Sequence, residues 1–517
     1  MVSDALSFDP LTPTAFLRRS GSVFRDRVAV VDGAQRWTYR ELLERSERLA
    51  GALASLGVAP GDRVAVLAPN THALLEAHYG VPLAGSVLVA LNARLARAEL
   101  AYMLEHSGAA VLLYDESLAG AAREAIAGLP PIRLAGADEY ERLVAGSPRM
   151  AERLEDERAL LSINYTSGTT GLPKGVMYHH RGAYLQALAM AHHAGIGPES
   201  VFLWTLPMFH CNGWCFTWAV TAAGGTHLCL PRVDPDEIWR LIRTEGVTHL
   251  NAAPTVLSAL AYHPEARQAP LRICTGGAPP SPTLLARLAE LGMEVTHLYG
   301  LTETFGPVMV CDWHPEWDDL PAERRAVLQA RQGVGNVVSC EARVVGPNGE
   351  GVPPDGETLG EIALRGNNVM LGYYLDPEAT ERAAPDGWFR TGDLGVLHPD
   401  GYVELRDRAK DVIVSGGENI ASVEVERAIV SHPAVLEAAV VPAPDARWGE
   451  RPVAFVALKE GASATADELR AHVRERLAGF KVPDRVEFRE LPKTSTGKIQ
   501  KYVLREELWA GRERRIG

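Results

Sequence analysis

The chain has 517 residues, 46% of them hydrophobic and 23% charged, a length beyond what one hydrophobic core organises and a composition that excludes fibrous and disordered classes. Its 52 Lys and Arg against 65 Asp and Glu leave a net charge of −13, which disfavours wholesale binding to nucleic acid or anionic lipid. No run of about 18 uncharged apolar residues could span a bilayer, and neither a leader pattern in the first ten residues nor a peroxisomal tripeptide at Arg-Arg-Ile-Gly517 is present, so a cytoplasmic location is expected.

In chain order, Thr38 and Glu41 form a capping box that opens a helix with Leu42, Leu49, Leu53 and Leu56 on one face, and Gly57 ends it. Arg63–Leu67 reads as a buried strand, about 73–80 as a helix, and Ala110–Tyr114 as another strand. The alternation returns with a helix near Ile238–Thr244, a strand at Leu271–Cys274, a helix at Thr283–Leu291 and a strand at Val295–Leu298. Strands alternating with helices predict largely parallel, helix-covered sheets, the α/β class. After about Gly335 short strands with Gly, Pro and Asp turns predict a small β-rich subdomain, about 336–408. Past Arg408 the pattern is that of a small α+β domain over 409–517, with helices near 422–431 and 467–477. The six cysteines are scattered, and the closest pair, Cys211 and Cys215, lacks a second pair of zinc-site spacing; reduced, mostly buried thiols are expected.

The most unusual segment is Thr166-Ser-Gly-Thr-Thr-Gly-Leu-Pro-Lys-Gly175, which follows the strand-like Leu161–Tyr165. Glycines let backbone N–H groups approach phosphate, hydroxyls add donors, and Lys174 adds charge. It is not a P-loop, because G-x-x-x-x-G-K-[ST] occurs neither here nor around Gly497-Lys498. On loop chemistry alone a flexible turn fits as well. A dinucleotide-binding dehydrogenase is disfavoured, since Leu67-Ala-Pro-Asn70 follows the first strand instead of G-x-G-x-x-G.

Seven segments stand in order: Thr166 to Gly175, Gly276-Gly-Ala278, Tyr299-Gly-Leu-Thr-Glu-Thr304, Thr391-Gly-Asp393, Arg408 before Lys410, Ser415-Gly-Gly-Glu-Asn-Ile420 and Pro492 to Lys498. In this order they resemble the adenylate-forming superfamily of acyl-CoA synthetases, luciferases and peptide-synthetase adenylation domains, over nearly the whole chain. The resemblance implies a large N-terminal domain of two helix-covered sheets plus the β-rich subdomain, hinged at Lys410 to a mobile C-terminal domain. It implies ATP, Mg2+ and coenzyme A as cofactors and a carboxylic acid as substrate. It also implies two half-reactions: carboxylate plus ATP to acyl-AMP and pyrophosphate, then acyl transfer to a thiol.

It further implies a nucleotide site made of Thr166, Ser167, Gly168, Thr169, Thr170, Gly171 and Lys174 on phosphates, and Gly276, Gly277, Ala278, His297, Tyr299 and Gly300 around adenine. Thr302 would hold the α-phosphate, with Asp393 and Arg408 on ribose. Glu303, a hard carboxylate, would be the magnesium ligand. Lys498 would bridge carboxylate and α-phosphate during adenylation, joined as catalytic residues by Thr166, Glu303 and the gate His210. Ser415, Gly416 and Gly417 would line the pantetheine channel after rotation about Lys410. Taken singly, each of these residues also fits a structural role: a turn aspartate, a solvated lysine, a core histidine.

The acyl pocket is expected from Trp204, Phe209, His210 and Trp214 with Gly300 and Thr304, although half of these aromatics could equally be core. None of the residues from Trp204 to Trp218 is acidic, which argues against an amino-acid substrate. The stretch Glu303 to Trp317 resembles plant acyl-activating, benzoate-type and methylmercaptopropionate-CoA ligases, implying a short or medium aliphatic, thioether or simple aryl acid. A carrier-protein thiol in place of coenzyme A stays open, as does a homodimer. A non-catalytic nucleotide sensor is opposed by intact Lys498, Glu303 and Thr166.

Overall fold

In the computed structural model the described residues are 8–151, 154–166, 172–278, 280–408, 410–415, 418–445, 447–494 and 498–510. The helix start expected at Thr38 and Glu41 forms as read, and the helices expected from about 283 and 467 begin one residue earlier behind side-chain caps. Thr38 and Glu41 close a full capping box before Tyr39–Ser55, Ser281 caps Pro282–Glu290, and Thr465 with Glu468 caps Ala466–Arg474.

Two large sheets carry the N-terminal part. The six-stranded one runs Arg133–Ala135, Ala109–Tyr114, Arg63–Leu67, Val87–Ala90, Leu160–Tyr165, Gly175–His179, and it is parallel except for the last pair. The nine-stranded one runs Val334–Gly335, Gly306–Val310, Glu294–Leu301, Arg272–Thr275, His249–Ala252, Val201–Leu203, Thr226–Leu228, Val28–Asp32, Gln35–Thr38. Its middle is parallel and its two ends are antiparallel. Strands such as Val87–Ala90 and His249–Ala252 are buried along their whole length, because helices cover both faces, and Val87–Ala90 is apolar throughout.

The β-rich subdomain is an antiparallel four-stranded sheet of Ser339–Val345, Gly360–Gly366, Phe389–Leu397 and Val403–Arg408. Beyond it the C-terminal part packs the helices Ser422–Val430, Ala466–Arg474 and Lys501–Trp509 on a five-stranded sheet with a core of its own. Among the described residues no helix is long and apolar enough to cross a membrane, and five cysteines, 211, 215, 229, 274 and 311, are free and buried.

Candidate active site

The phosphate loop is anchored by geometry. It leaves the strand Leu160–Tyr165 and returns as the antiparallel neighbour Gly175–His179, and the Thr166 N–H closes its neck on the carbonyl of Lys174 at 3.0 Å. Ser167, Gly168, Thr169, Thr170 and Gly171 lie outside the described residues, as do Gly416 and Gly417.

Across the cleft, Glu294–Leu301 turns through Thr302–Thr304 into Gly306–Val310. Tyr299, buried at 9% exposure, donates its hydroxyl to Asp393 Oδ2 at 2.7 Å, and Arg408 Nε sits 3.1 Å from Oδ1. Asp393 and Arg408 face each other in register on antiparallel strands. The aspartate is therefore a buried anchor at 3% exposure and not a solvated turn residue. A carboxylate presents about four acceptor sites, so two remain beyond the tyrosine and arginine to receive sugar hydroxyls. Gly276 is buried beside the same strand, while Gly277 and Ala278 lie exposed at the rim.

Glu303 projects from the turn between these strands. Its Oε1 accepts the Tyr373 hydroxyl at 2.9 Å, and its main-chain carbonyl accepts the N–H of Met370 at 2.8 Å. Burial raises its carboxyl pKa above the ordinary value, with the Tyr373 hydroxyl and the Arg408 and Lys174 charges opposing. A buried, under-compensated carboxylate facing a phosphate-binding loop fits a hard divalent cation. Among the described residues no group of three or more His, Cys, Asp or Glu could cage a metal alone. The donor set thus suits magnesium arriving with nucleotide oxygens and water in its shell. The turn is rigid: the Tyr178 hydroxyl meets the Thr302 carbonyl at 2.5 Å, and the Tyr178 ring stacks on Phe305 at 3.9 Å.

The acyl side is built on an unusual backbone. Cys211, Asn212, Gly213, Trp214 and Cys215 all have φ between 50° and 64°, a left-handed turn that ordinary residues enter at a cost of roughly 1–2 kcal/mol each. Buried contacts hold it: Asn212 Nδ2 donates to Ser162 Oγ at 3.0 Å, Cys215 Sγ to the Phe305 carbonyl at 3.5 Å, and Cys211 Sγ to Thr302 Oγ1 at 3.7 Å. Its product is the placement of Trp214. A Cβ on Gly276 would stand 3.2 Å from the indole, and one on Gly306 (φ +87°) 3.1 to 3.3 Å from Trp214 Cα, Cδ1 and Cβ. The indole thus occupies the space between two glycines, and a side chain at either would displace it. Asn70 fixes the approach to this turn, donating to the Trp204 and Leu206 carbonyls at 2.8 and 3.0 Å and accepting from the Met208 N–H at 2.8 Å.

Two expected site residues are placed in the interior. Trp204 is fully buried, bonded to His227 and packed behind the left-handed turn, so it is core and not pocket wall. The Thr304 hydroxyl is consumed inside its own turn by Leu301 and Gly306, with no exposed surface left for an acyl chain. His297 is 2% exposed, with Nδ1 2.9 Å from the Arg331 carbonyl oxygen. For Trp204 and Thr304 interior packing claims a residue whose type alone suited a ligand. Gly300 serves the strand pair: a side chain there would collide with the Gly306 carbonyl.

The C-terminal part reaches into this cleft. Lys498 is exposed as a residue, yet its amine end is crowded by protein and by like charge, and its pKa falls to about 8 through burial first and Arg408 next. Asp393 and Asp411 oppose that shift. His210 is driven down to about 4 by burial and then by the Lys498 ammonium, so a neutral imidazole and the lysine lie on the same side of the site. Ser415 is buried, paired with Glu418 in a hairpin. Lys410 lies in the turn between the two parts, and its carbonyl accepts from Arg505 at 3.3 Å. Across that turn Asp407 accepts from both the N–H and the Oγ of Ser422, the latter at 2.9 Å, and so caps the helix Ser422–Val430, whose own N-cap, Ala421, has no side chain to do so. A second bond across the same boundary joins Arg427 to Glu404 at 2.8 Å.

The family model described as AMP-binding enzyme matches residues 17–374, and that of its C-terminal domain matches 424–498. An acetate–CoA ligase of Humulus lupulus is 43% identical, covering 97% of this chain and 95% of its own. A peroxisomal acetate/butyrate–CoA ligase of Arabidopsis thaliana is 44% identical (96% and 95%), and a 2-methylpropanoate–CoA ligase of Humulus lupulus 45% (97% and 95%). Among solved structures, ATP-bound MatB from Rhodopseudomonas palustris aligns with a TM-score of 0.85 at 29% identity over 96% of this chain and 99% of that one. The o-succinylbenzoate CoA synthetase of Bacillus subtilis with its acyl-adenylate aligns at 0.82 and 31% identity over 97% and 99%. With the family model covering more than half of its length and relatives of 43–45% identity over nearly all of it, the chain belongs to the AMP-binding enzyme family.

Proposed function

We propose that this protein joins an acid of about two to four carbons, straight or methyl-branched, to coenzyme A, and that its named residues divide the work as follows. As an AMP-forming acid–CoA ligase it uses ATP, Mg2+ and coenzyme A. The observation that supports the substrate size is Trp214, whose indole fills the space between Gly276 and Gly306 and so would act as the wall against a long tail. The names of relatives acting on acetate, butyrate and 2-methylpropanoate point the same way.

In the first half-reaction the acid's own carboxylate attacks the α-phosphorus, so no general base is needed. Asp393 and Arg408 hold the ribose, Tyr299 presents a flat ring to adenine, and Thr166, Thr302 and Lys174 hold phosphate oxygens. Lys498 places its ammonium between the carboxylate and the α-phosphate, where negative charge gathers. Glu303 would hold magnesium, which neutralises the departing pyrophosphate. In the second half-reaction residues 409–517 turn about Lys410, Lys498 withdraws, and Ser415 with Gly416 and Gly417 lines the thiol's path, with His210 at the gate. The bonds Asp407–Ser422 and Glu404–Arg427 hold the adenylating arrangement.

The test is mass-spectrometric detection of thioesters from protein, ATP, Mg2+ and coenzyme A with C2 to C16 aliphatic, thioether, benzoate and cinnamate acids. Acetyl to butyryl products support the reading. Thioesters only of longer or aryl acids overturn the size assignment, and acyl-adenylate without thioester moves the acceptor to a carrier protein. A cytoplasmic location completes the proposal; some relatives carry peroxisomal in their names, and recovery of the protein in an organelle fraction would refute it.

A further inference from the structure

We infer that Tyr373 is a positioning residue for the adenylation half-reaction, orienting the Glu303 carboxylate with its hydroxyl while its ring seats the Lys174 ammonium. The inference rests on the reading of Glu303 and Lys174 given above and extends it to a residue that no motif singled out.

Two contacts converge on this buried side chain. Its hydroxyl donates to Glu303 Oε1 at 2.9 Å, the Lys174 Nζ lies 4.7 Å from its ring centroid, and the residue is buried at 9% exposure. A phenol has one proton to donate, so this bond fixes the carboxylate's rotation and leaves its other acceptor positions turned elsewhere. The ring face is the electron-rich surface on which an ammonium settles. One side chain thereby sets both a carboxylate and a cation that meet the polyphosphate from different elements.

The backbone makes that setting rigid. Tyr373 bridges Val176 in antiparallel fashion, the Tyr374 N–H reaches the Gly175 carbonyl at 2.7 Å, and the Leu371 N–H reaches that of Met177 at 3.0 Å. On the other flank the Met370 N–H meets the Glu303 carbonyl at 2.8 Å, and the Tyr373 N–H is held by Thr380 Oγ1 at 2.9 Å. The segment 370–374 therefore straps the exit of the phosphate loop to the turn bearing Glu303, and Tyr373 stands at the middle of the strap. A tyrosine kept only for packing would need the ring and not the hydroxyl, which is the distinction the test uses.

The variants are Tyr373→Phe, which keeps the ring under Lys174, and Tyr373→Leu, which removes both contacts. The readout is calorimetric binding of α,β-methylene-ATP with and without Mg2+, beside binding of AMP. Tyr373→Phe should weaken binding of the magnesium complex about tenfold, the weight of one charge-assisted hydrogen bond, and raise the Mg2+ needed for half-saturation, with AMP affinity unchanged. Tyr373→Leu should weaken the triphosphate analogue further, again sparing AMP. Equal binding by wild type and Tyr373→Phe would overturn the inference, and so would a parallel loss for AMP, which marks general damage. If wild type itself binds the analogue equally without Mg2+, the assignment of Glu303 fails; that result is distinct from failure of Tyr373 alone.

Discussion

Trp214 is the residue to perturb first, because its position predicts a change in which acids react. The indole is 6% exposed and fills the gap between the Cβ positions of Gly276 and Gly306. Trp214→Ala removes about nine ring atoms from that gap, room for roughly four methylenes. Each methylene moved from water into an apolar site is worth about 0.8 kcal/mol, near fourfold in rate, so four of them give about 3 kcal/mol. The variant should therefore raise kcat/KM for hexanoate and octanoate by roughly 10²-fold. Acetate, whose methyl loses the wall that orients it, should fall about tenfold. The same truncation costs about 3–5 kcal/mol of core packing, so thermal melting and AMP binding must accompany the kinetics. The assay is pyrophosphate release over even-chain acids from C2 to C8, with the thioesters identified by mass. A folded, AMP-binding variant that keeps the wild-type ranking of acids would refute the argument that this indole limits chain length.

Lys498→Ala should lose at least about 10²-fold in acyl-adenylate formation while still converting supplied acyl-adenylate to thioester; equal loss in both halves would contradict two domain arrangements. Because the Lys498 pKa is lowered to about 8, its cation is lost as pH rises through that value, so kcat/KM for adenylation should fall on the alkaline side. Lys498→Arg, which stays charged, should flatten that limb even if it turns over slowly; a limb that persists assigns it to another group, such as Lys410 near the same value. Asp407→Ala removes the cap of the helix Ser422–Val430 across the hinge and should lower adenylation about tenfold, in line with a capping loss of about 1 to 2 kcal/mol, with the thioester half spared in rapid-quench measurements. Lys410→Pro stiffens the pivot and should spare pyrophosphate release while blocking thioester formation; normal overall turnover would remove Lys410 as the hinge.

The parts of the fold legible in the chain are those whose cause is local. A capping box at Thr38 and Glu41 sets a helix start whatever lies around it, and a run such as Arg63–Leu67 reads as a buried strand because each of its residues after the first is covered. The motif order likewise implied that Tyr299, Asp393, Arg408, Glu303 and Lys498 share one site. Their contacts were not legible. The Tyr299–Asp393 bond joins residues 94 apart and the Tyr373–Glu303 bond residues 70 apart, distances over which no periodicity carries information. Tyr373 carried no signal beyond its place after Gly372, and only the strap 370–374 lying along the loop exit reveals it.

The aromatic segment shows where the division falls. Composition and spacing from Trp204 to Trp218 determined that the segment is apolar, lacks an acidic anchor and includes core side chains. Where Trp214 stands was decided by the left-handed turn at 211–215, a backbone state that isolated residues avoid and that persists because Ser162 of the strand Leu160–Tyr165 and Thr302 and Phe305 of the turn 302–305 hold it. Secondary structure and reaction class follow from short-range preference and from the ordered set of chemical groups; the proposed limit on the acid's size and the setting of Glu303 rest on side chains that meet only after the sheets have packed, since those contacts exist in no local stretch of the chain.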